Sequence, residues 1–144
     1  MAIFEDGKAV MPMEYNESAP ANVTASICNS NAASMFSSFF TDKKKLIALF
    51  ASTDGLYTSF GSEYDFLDYH SIITSQLVNV EKFKPAIINN LHKRSHFGTE
   101  DDISLSCIFN EEILSASEDI LLQAVEDNKK RAAERRAELL TKRV

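Results

Sequence analysis

The sequence predicts an α+β domain, and three observations carry that prediction. Two short apolar stretches, "KKKLIALFAST" and "DDISLSCIFN", have strand character. Between them lie two segments with helical spacing, and after the second comes a stretch from Glu111 to Val144 without Gly or Pro. The chain has 144 residues, 44% hydrophobic and 25% charged, enough for one globular core.

In chain order, "MAIFEDGKAV" places Asp6-Gly7 between apolar pieces, which is the signal of a hairpin with a two-residue turn. A protein opening directly on a hairpin is expected to lack an earlier part. Residues 11–21 carry two prolines and read as loop. In "NVTASICNS", Val23, Ala25 and Ile27 alternate with Thr24, Ser26 and Cys28, as in a half-buried strand; "NAASMFSSFF" follows as one or two helical turns.

Leu46 to Ala51 is continuously apolar, which predicts a strand buried on both faces, ended by Asp54-Gly55. Phe66, Tyr69, His70, Ile73, Leu77 and Val80 then fall on one face of a helix. Pro85 suits the first position of a second helix, with Ile87, Ile88 and Leu91 inward and Gly98 past its end. Ile103, Leu105 and Cys107 alternate with Ser104, Ser106 and Ile108, a second strand. Leu46, Ile47, Leu49, Phe50, Ile73, Leu77, Leu105 and Phe109 are the principal core candidates.

From residue 111 onward the chain reads as one long helix or two. Residues 111–127 hold six acids and no base, and residues 128–144 hold seven bases and two acids, a distribution that suits the helix dipole. The basic half reads either as a helix that binds a partner or an anionic surface or as a solvated face held by i, i+4 pairs, the usual role of such a run.

Composition excludes several function classes. A net charge of -6 and a pI near 5.0 argue against a broad nucleic-acid surface. No apolar run approaches the ~20 residues of a membrane span, and the N-terminus does not resemble a signal peptide, so a cytoplasmic location is expected. Cys28 and Cys107 lack CxxC spacing, which fits a reducing compartment. The sequons at Asn16 and Asn22 then read as chance matches.

Candidate chemistry rests on carboxylates. No GxSxG elbow is present; His70 reads as a core histidine, and His92 and His96, though spaced i, i+4, lack an HExxH. Asp54 stands where an apolar strand emerges, and Gly55 permits a tight turn or a close approach of backbone to a ligand. Asp101 and Asp102 stand just before the next strand. If the two strands are neighbours, Asp54 and Asp101 converge across 47 residues of sequence, and like charges so placed favour a hard cation such as magnesium or manganese. On pattern alone, the better reading is Asp54-Gly55 as a turn and Asp101 as a helix or strand cap.

"LFASTDGLYTSF" and "GTEDDISLSCIF", separated by two helices, resemble the C-terminal half of the metal-dependent serine/threonine phosphatases, the protein phosphatase 2C family. "EYNESAPANVTASI" is similar to a stretch of its bacterial members, so that the resemblance spans roughly residues 2–110. It implies part of a two-sheet antiparallel β-sandwich flanked by helices over residues 1–110, with a charged helical tail over 111–144. It implies Asp54 and Asp101 as ligands of Mg2+ or Mn2+, with Gly55 and Asp102 as possible additional contributors and Ser104 as structural. The implied reaction is hydrolysis of a phosphoserine or phosphothreonine ester by a metal-held water. Nothing in residues 1–53 matches the acidic ligands and phosphate-binding arginine of the family's N-terminal half, so the chain reads as a half domain. The alternative is an inactive phosphatase-like module that binds a protein partner through its C-terminal helix or an exposed sheet, with self-association through a free strand edge.

Overall fold

The computed structural model describes residues 1–12, 28, 30–31, 34 and 38–141. The loop expected over 11–21, the strand over 22–30 and both sequons fall almost wholly outside these residues, as do residues 32–33 and 35–37 of the helical turns expected over 31–40. The described elements are β1 (Ala2–Phe4), β2 (Ala9–Val10), β3 (Leu46–Ser52), α1 (Asp54–Thr58), α2 (Glu63–Gln76), α3 (Val80–Arg94), β4 (Leu105–Phe109), α4 (Glu111–Ala116) and α5 (Glu118–Thr141). A 3-10 turn at Leu77–Asn79 joins α2 to α3, and a π turn at Ser95–Thr99 follows α3.

The strands form one antiparallel sheet in the order β2-β1-β3-β4. Among the described residues this sheet stands alone. The β1–β2 hairpin forms, but its loop has three residues, Glu5 to Gly7, instead of two. Phe4 and Lys8 pair across the loop, Gly7 N donates to Phe4 O, and Gly7 takes φ 76. Only one loop residue needs positive φ, which selects a turn closed by a left-handed glycine over the two-residue type.

Between Ile3 and Phe4 the β1–β3 register slips by one residue on β3, from Ala48 to Leu46. The extra residue is Ile47, and the bulge lets it and Ala48 both be fully buried although they are consecutive. The expectation of burial on both faces fails beyond Phe50. Ala51 and Ser52 are exposed, and Leu49 is half-buried. Its partner across the ladder, Ile108, is 68% exposed on the outward face.

On the inward face, α2 lies across the sheet. Ser62 caps it by accepting from Asp65 N at 3.2 Å, and it buries Phe66, Tyr69, His70 and Ile73, with Leu77 continuing the face into the 3-10 turn. These residues pack with Ile3, Ile47, Phe50 and Leu56. Each fully buried side chain of this size contributes roughly 1.5 to 3 kcal/mol.

The second helix starts earlier than Pro85 suggests. Asn79 caps it by accepting from Lys82 N at 3.1 Å, so Pro85 lies inside α3, where its ring nitrogen offers no bond to the Glu81 carbonyl. The helix buries no residue completely: Phe83, Ile87 and Leu91 are partly buried against the core, whereas Ile88, expected inward, is 66% exposed. Gly98 is not the stop signal. It sits within the π turn, and the left-handed residue is Glu100, at φ 56.

The stretch after residue 110 is two helices broken at Ser117. Asn110 caps α4 by accepting from Glu112 N and Ile113 N at 3.0 and 3.2 Å. Acids fill the first turns of α4 and α5. Leu114 and Leu121 belong to the same core as the sheet, so the first half of the charged segment is bound into the fold. Further along, α5 runs beside α2, where Arg135 reaches Asp68 at 3.1 Å and Asp65 at 3.5 Å. No helix among the described residues is long and apolar enough to cross a membrane.

Candidate functional site

The end of the β3–β4 ladder is where the sequence-predicted carboxylates meet. Because the strands are antiparallel neighbours, the last residue of β3, Ser52, faces the first of β4, Leu105. Asp54 leaves this end, and Asp101 and Asp102 enter it.

A threonine fastens the two chain segments. Thr53 N donates to Ser104 O at 3.1 Å, its Oγ1 donates to Asp102 O at 3.1 Å, and the same Oγ1 accepts from Ser104 N at 3.0 Å. Its hydroxyl thus both donates and accepts across the strands, and Thr53 precedes α1 without a side-chain capping bond. Ser104, expected to be structural, takes part in this clasp through its backbone.

Asp54-Gly55 is the start of a helix where a turn was expected, since the strand passes through Thr53 directly into α1. Asp54 Oδ1 accepts from Gly55 N at 3.1 Å, and its carbonyl accepts from Thr58 Oγ1 at 3.2 Å. Gly55 is buried, and a side-chain carbon there would lie 2.8 Å from the Asp102 carbonyl oxygen and 3.1 Å from Asp101 Oδ2. The close approach that Gly55 permits is therefore to the Asp101-Asp102 segment.

Asp101 is held on three sides. Its Oδ1 accepts from Asp102 N at 2.8 Å, its carbonyl accepts from Ser95 Oγ at 2.8 Å, and its N donates to Thr99 Oγ1 at 3.3 Å. The π turn after α3 thereby sets its position. Asp54, Asp101 and Asp102 are all exposed, and among the described residues none of them is in an ion pair.

Carboxylates without an ion-pair partner at one sheet edge are hard oxygen donors of the kind that magnesium and manganese accept. The set is small. Among the described residues no group of three or more His, Cys, Asp or Glu side chains is placed to hold a metal ion, and an ion at this edge would take most of its ligands from water. His92 and His96 stack with ring centroids 6.0 Å apart, without a third donor.

Sequence reasoning missed Arg94. Its guanidinium lies over the Phe60 ring at 4.0 Å and the Tyr69 ring at 4.8 Å, while Nε donates to Asn90 Oδ1 at 3.1 Å and Nη1 to Ser59 Oγ at 3.3 Å. Tyr69 OH donates to the same Asn90 oxygen at 3.1 Å. Burial raises the Tyr69 pKa, and the guanidinium opposes the rise. Arg94 thus ties the end of α3 to α1 and α2 immediately before the turn that positions Asp101. A basic residue near a predicted helix end carries no sequence signal for such stacking.

His70 is a core histidine, as expected, but an unusual one. It is 0% exposed; Nδ1 bonds the Phe66 carbonyl at 2.8 Å, and Nε2 has no partner among the described residues. Burial lowers its pKa to about 4, against the opposing effect of the Phe66 bond. The ring helps line a cavity of about 670 Å3 whose wall also includes Phe50, Tyr57, Phe66 and Asp54.

Comparison with protein-family models, with curated proteins and with solved structures returns no match.

Proposed function

We propose that the chain is the C-terminal half of a metal-dependent serine/threonine phosphatase domain of the 2C type, with Asp54 and Asp101 as its metal-facing carboxylates. The observation that carries the reading is the meeting of an apolar strand ending in Thr-Asp-Gly with an Asp-Asp pair opening the antiparallel neighbour, packed so closely that only glycine fits at position 55.

In this reading Asp54 and Asp101 hold magnesium or manganese, Asp102 assists, and the Thr53 clasp and Arg94 keep the two carboxylates at a fixed separation. The chemistry supplied by the ions when bound is activation of a water and neutralisation of charge on the transferring phosphoryl group. The remaining acidic ligands, the phosphate-binding arginine and the second sheet of the sandwich come from a complementary N-terminal half. The substrate is a phosphoserine or phosphothreonine protein, and the setting is cytoplasmic.

The test is manganese-dependent hydrolysis of a phosphoserine peptide by the chain mixed with a phosphatase 2C N-terminal half. Turnover that appears only in the mixture supports the reading. No turnover in either sample sinks it.

A second reading is favoured by Ile108, which is 68% exposed on β4, the edge strand. An apolar residue on an edge strand suits a module that binds a protein partner or a second copy of itself without catalysis. Sedimentation of the wild type against Ile108→Lys examines it: a wild-type dimer that becomes monomeric supports self-association, and identical sedimentation of the two argues against it.

A further inference from the structure

We infer that α5 pairs with the α5 of a second copy of the chain, antiparallel, through the side of the helix turned away from α2. The inference stands apart from the carboxylate edge and uses a different surface from β4.

One side of α5 is bound into the fold: Leu121 and Asn128 are buried, and Arg135 meets Asp65 and Asp68. On the other side lie Leu122, Glu126, Lys129, Ala133, Arg136 and Leu140, every one of them exposed. Their spacing alternates between four and three residues along the whole series. That is the 3.5-residue repeat that keeps one seam of a helix facing a partner helix. Residues 136–141 are all exposed, so the seam runs on past the point where Arg135 ties α5 to α2.

The seam is symmetric about Arg131. Leu122, Glu126 and Lys129 precede it by nine, five and two residues, and Leu140, Arg136 and Ala133 follow it by the same steps. Two copies laid antiparallel about a two-fold axis at Arg131 therefore set Leu122 against Leu140 of the second copy at both ends. Inside these, Glu126 faces Arg136 of the second copy, and Lys129 faces its Ala133. Leu122 and Leu140 are 53% and 68% exposed in the single chain, so the contact removes apolar surface from water twice per dimer.

Charge selects the direction. Within α5, residues 118–127 hold four acids and no base, and residues 128–141 hold five bases and two acids. Parallel copies would set Glu126 on Glu126 and Arg136 on Arg136, whereas antiparallel copies join unlike charges at both places. Glu126 already holds Lys129 of its own chain at 3.3 Å, and Arg136 of the second copy adds a further cation to that pair. Lys130 flanks the axis beside its own counterpart, a repulsion that keeps the dimer weak.

Sedimentation equilibrium of the full chain tests the pairing. The wild type is expected to dimerise reversibly, and less as salt rises. Glu126→Arg and Arg136→Glu each turn two attractive contacts into two repulsive ones and should weaken the dimer roughly tenfold or more. The double variant, which exchanges the charges, should dimerise like the wild type. Mixing the two single variants should give a one-to-one heterodimer, in which both unlike pairs return. Ile108→Lys should leave the dimer unchanged. A wild type that stays monomeric up to about 1 mM, single variants that associate like the wild type, or a mixture without heterodimer overturns the proposal. A dimer lost in Ile108→Lys also overturns it, by placing the contact on the sheet edge. Should either charge variant fail to fold, Leu140→Lys at the exposed end of the helix replaces it, and a dimer that it does not weaken overturns the proposal.

Discussion

The α-carbon of Gly55 lies against the carboxylate of Asp101, close enough that a methyl group at position 55 would stand 3.1 Å from Oδ2. This contact makes the glycine part of the carboxylate edge and yields the first prediction. Gly55→Ala also meets the Asp102 carbonyl at 2.8 Å, a backbone atom that cannot swing aside. It should destabilise the fold by about 1–3 kcal/mol, as overpacking does. Gly61→Ala, with nothing within 4 Å, should be neutral or stabilise by roughly 0.4–1 kcal/mol. Urea unfolding of both variants checks the pair, and equal stabilities would remove the contact from the account.

Metal binding at the edge is the second prediction. Calorimetry with Mn2+ should show weak binding, and Asp54→Asn and Asp101→Asn should each reduce the affinity by roughly tenfold, about 1.4 kcal/mol. Unchanged affinity in both variants would leave the aspartates as elements of backbone geometry only.

His70 predicts a pH dependence of stability. Its folded pKa, about 4, lies below the ordinary 6.5, so between these values the unfolded chain binds a proton that the folded chain refuses. The contribution is intact above pH 6.5 and is lost as pH falls toward 4, by a total of roughly 3 kcal/mol. Relative to His70→Phe, the wild type should therefore weaken across that window. Parallel stability profiles of the two proteins would contradict the burial of a neutral imidazole.

Two anchors hold α5, and they are unequal. Leu121 is fully buried, so Leu121→Ala should cost about 2–5 kcal/mol. Arg135 is partly exposed where it meets Asp65 and Asp68, so Arg135→Ala should cost only about 0.2–1 kcal/mol, and less in high salt. A larger loss from the arginine, measured by thermal unfolding, would show that charge rather than packing docks the helix.

Burial by Cys107 gives a chemical counterpart. Its pKa is raised to about 11, which keeps the thiol protonated at neutral pH. In Cys28→Ser, reaction of Cys107 with a disulfide reagent at pH 7 should run roughly two orders of magnitude slower than that of a free cysteine. A rate equal to the free thiol would show that the surrounding strand does not shield it.

Much of this fold was legible in periodicity. The alternation of β4 and the one-sided face of α2 are both direct readings of burial, and each pattern held over several residues. Boundaries set by single residues were not so legible. Pro85 and Gly98 look like start and stop signals, but the Asn79 cap and the left-handed Glu100 take those roles, because caps and turn closures depend on which side chain reaches which amide. The Ile47 bulge was hidden for a related reason: consecutive buried residues look like a two-faced strand until the register of the partner is known. At the site, the approach of the Asp54-Gly55 and Asp101-Asp102 segments was readable from strand order, whereas Arg94 and the buried, unpartnered Nε2 of His70 arise from contacts between distant segments.

The Thr53–Ser104 clasp closes residues 53–104 into a ring whose two exits, at Leu46 and Phe109, leave the sheet at its opposite end. Tension applied through the flanking chain would therefore peel the ladder open like a zip, starting beside Ala48 and Phe109 and reaching the clasp last. The aspartates ride on the part of the sheet that would separate last under load, held there by the turn that follows α3 as well as by the clasp.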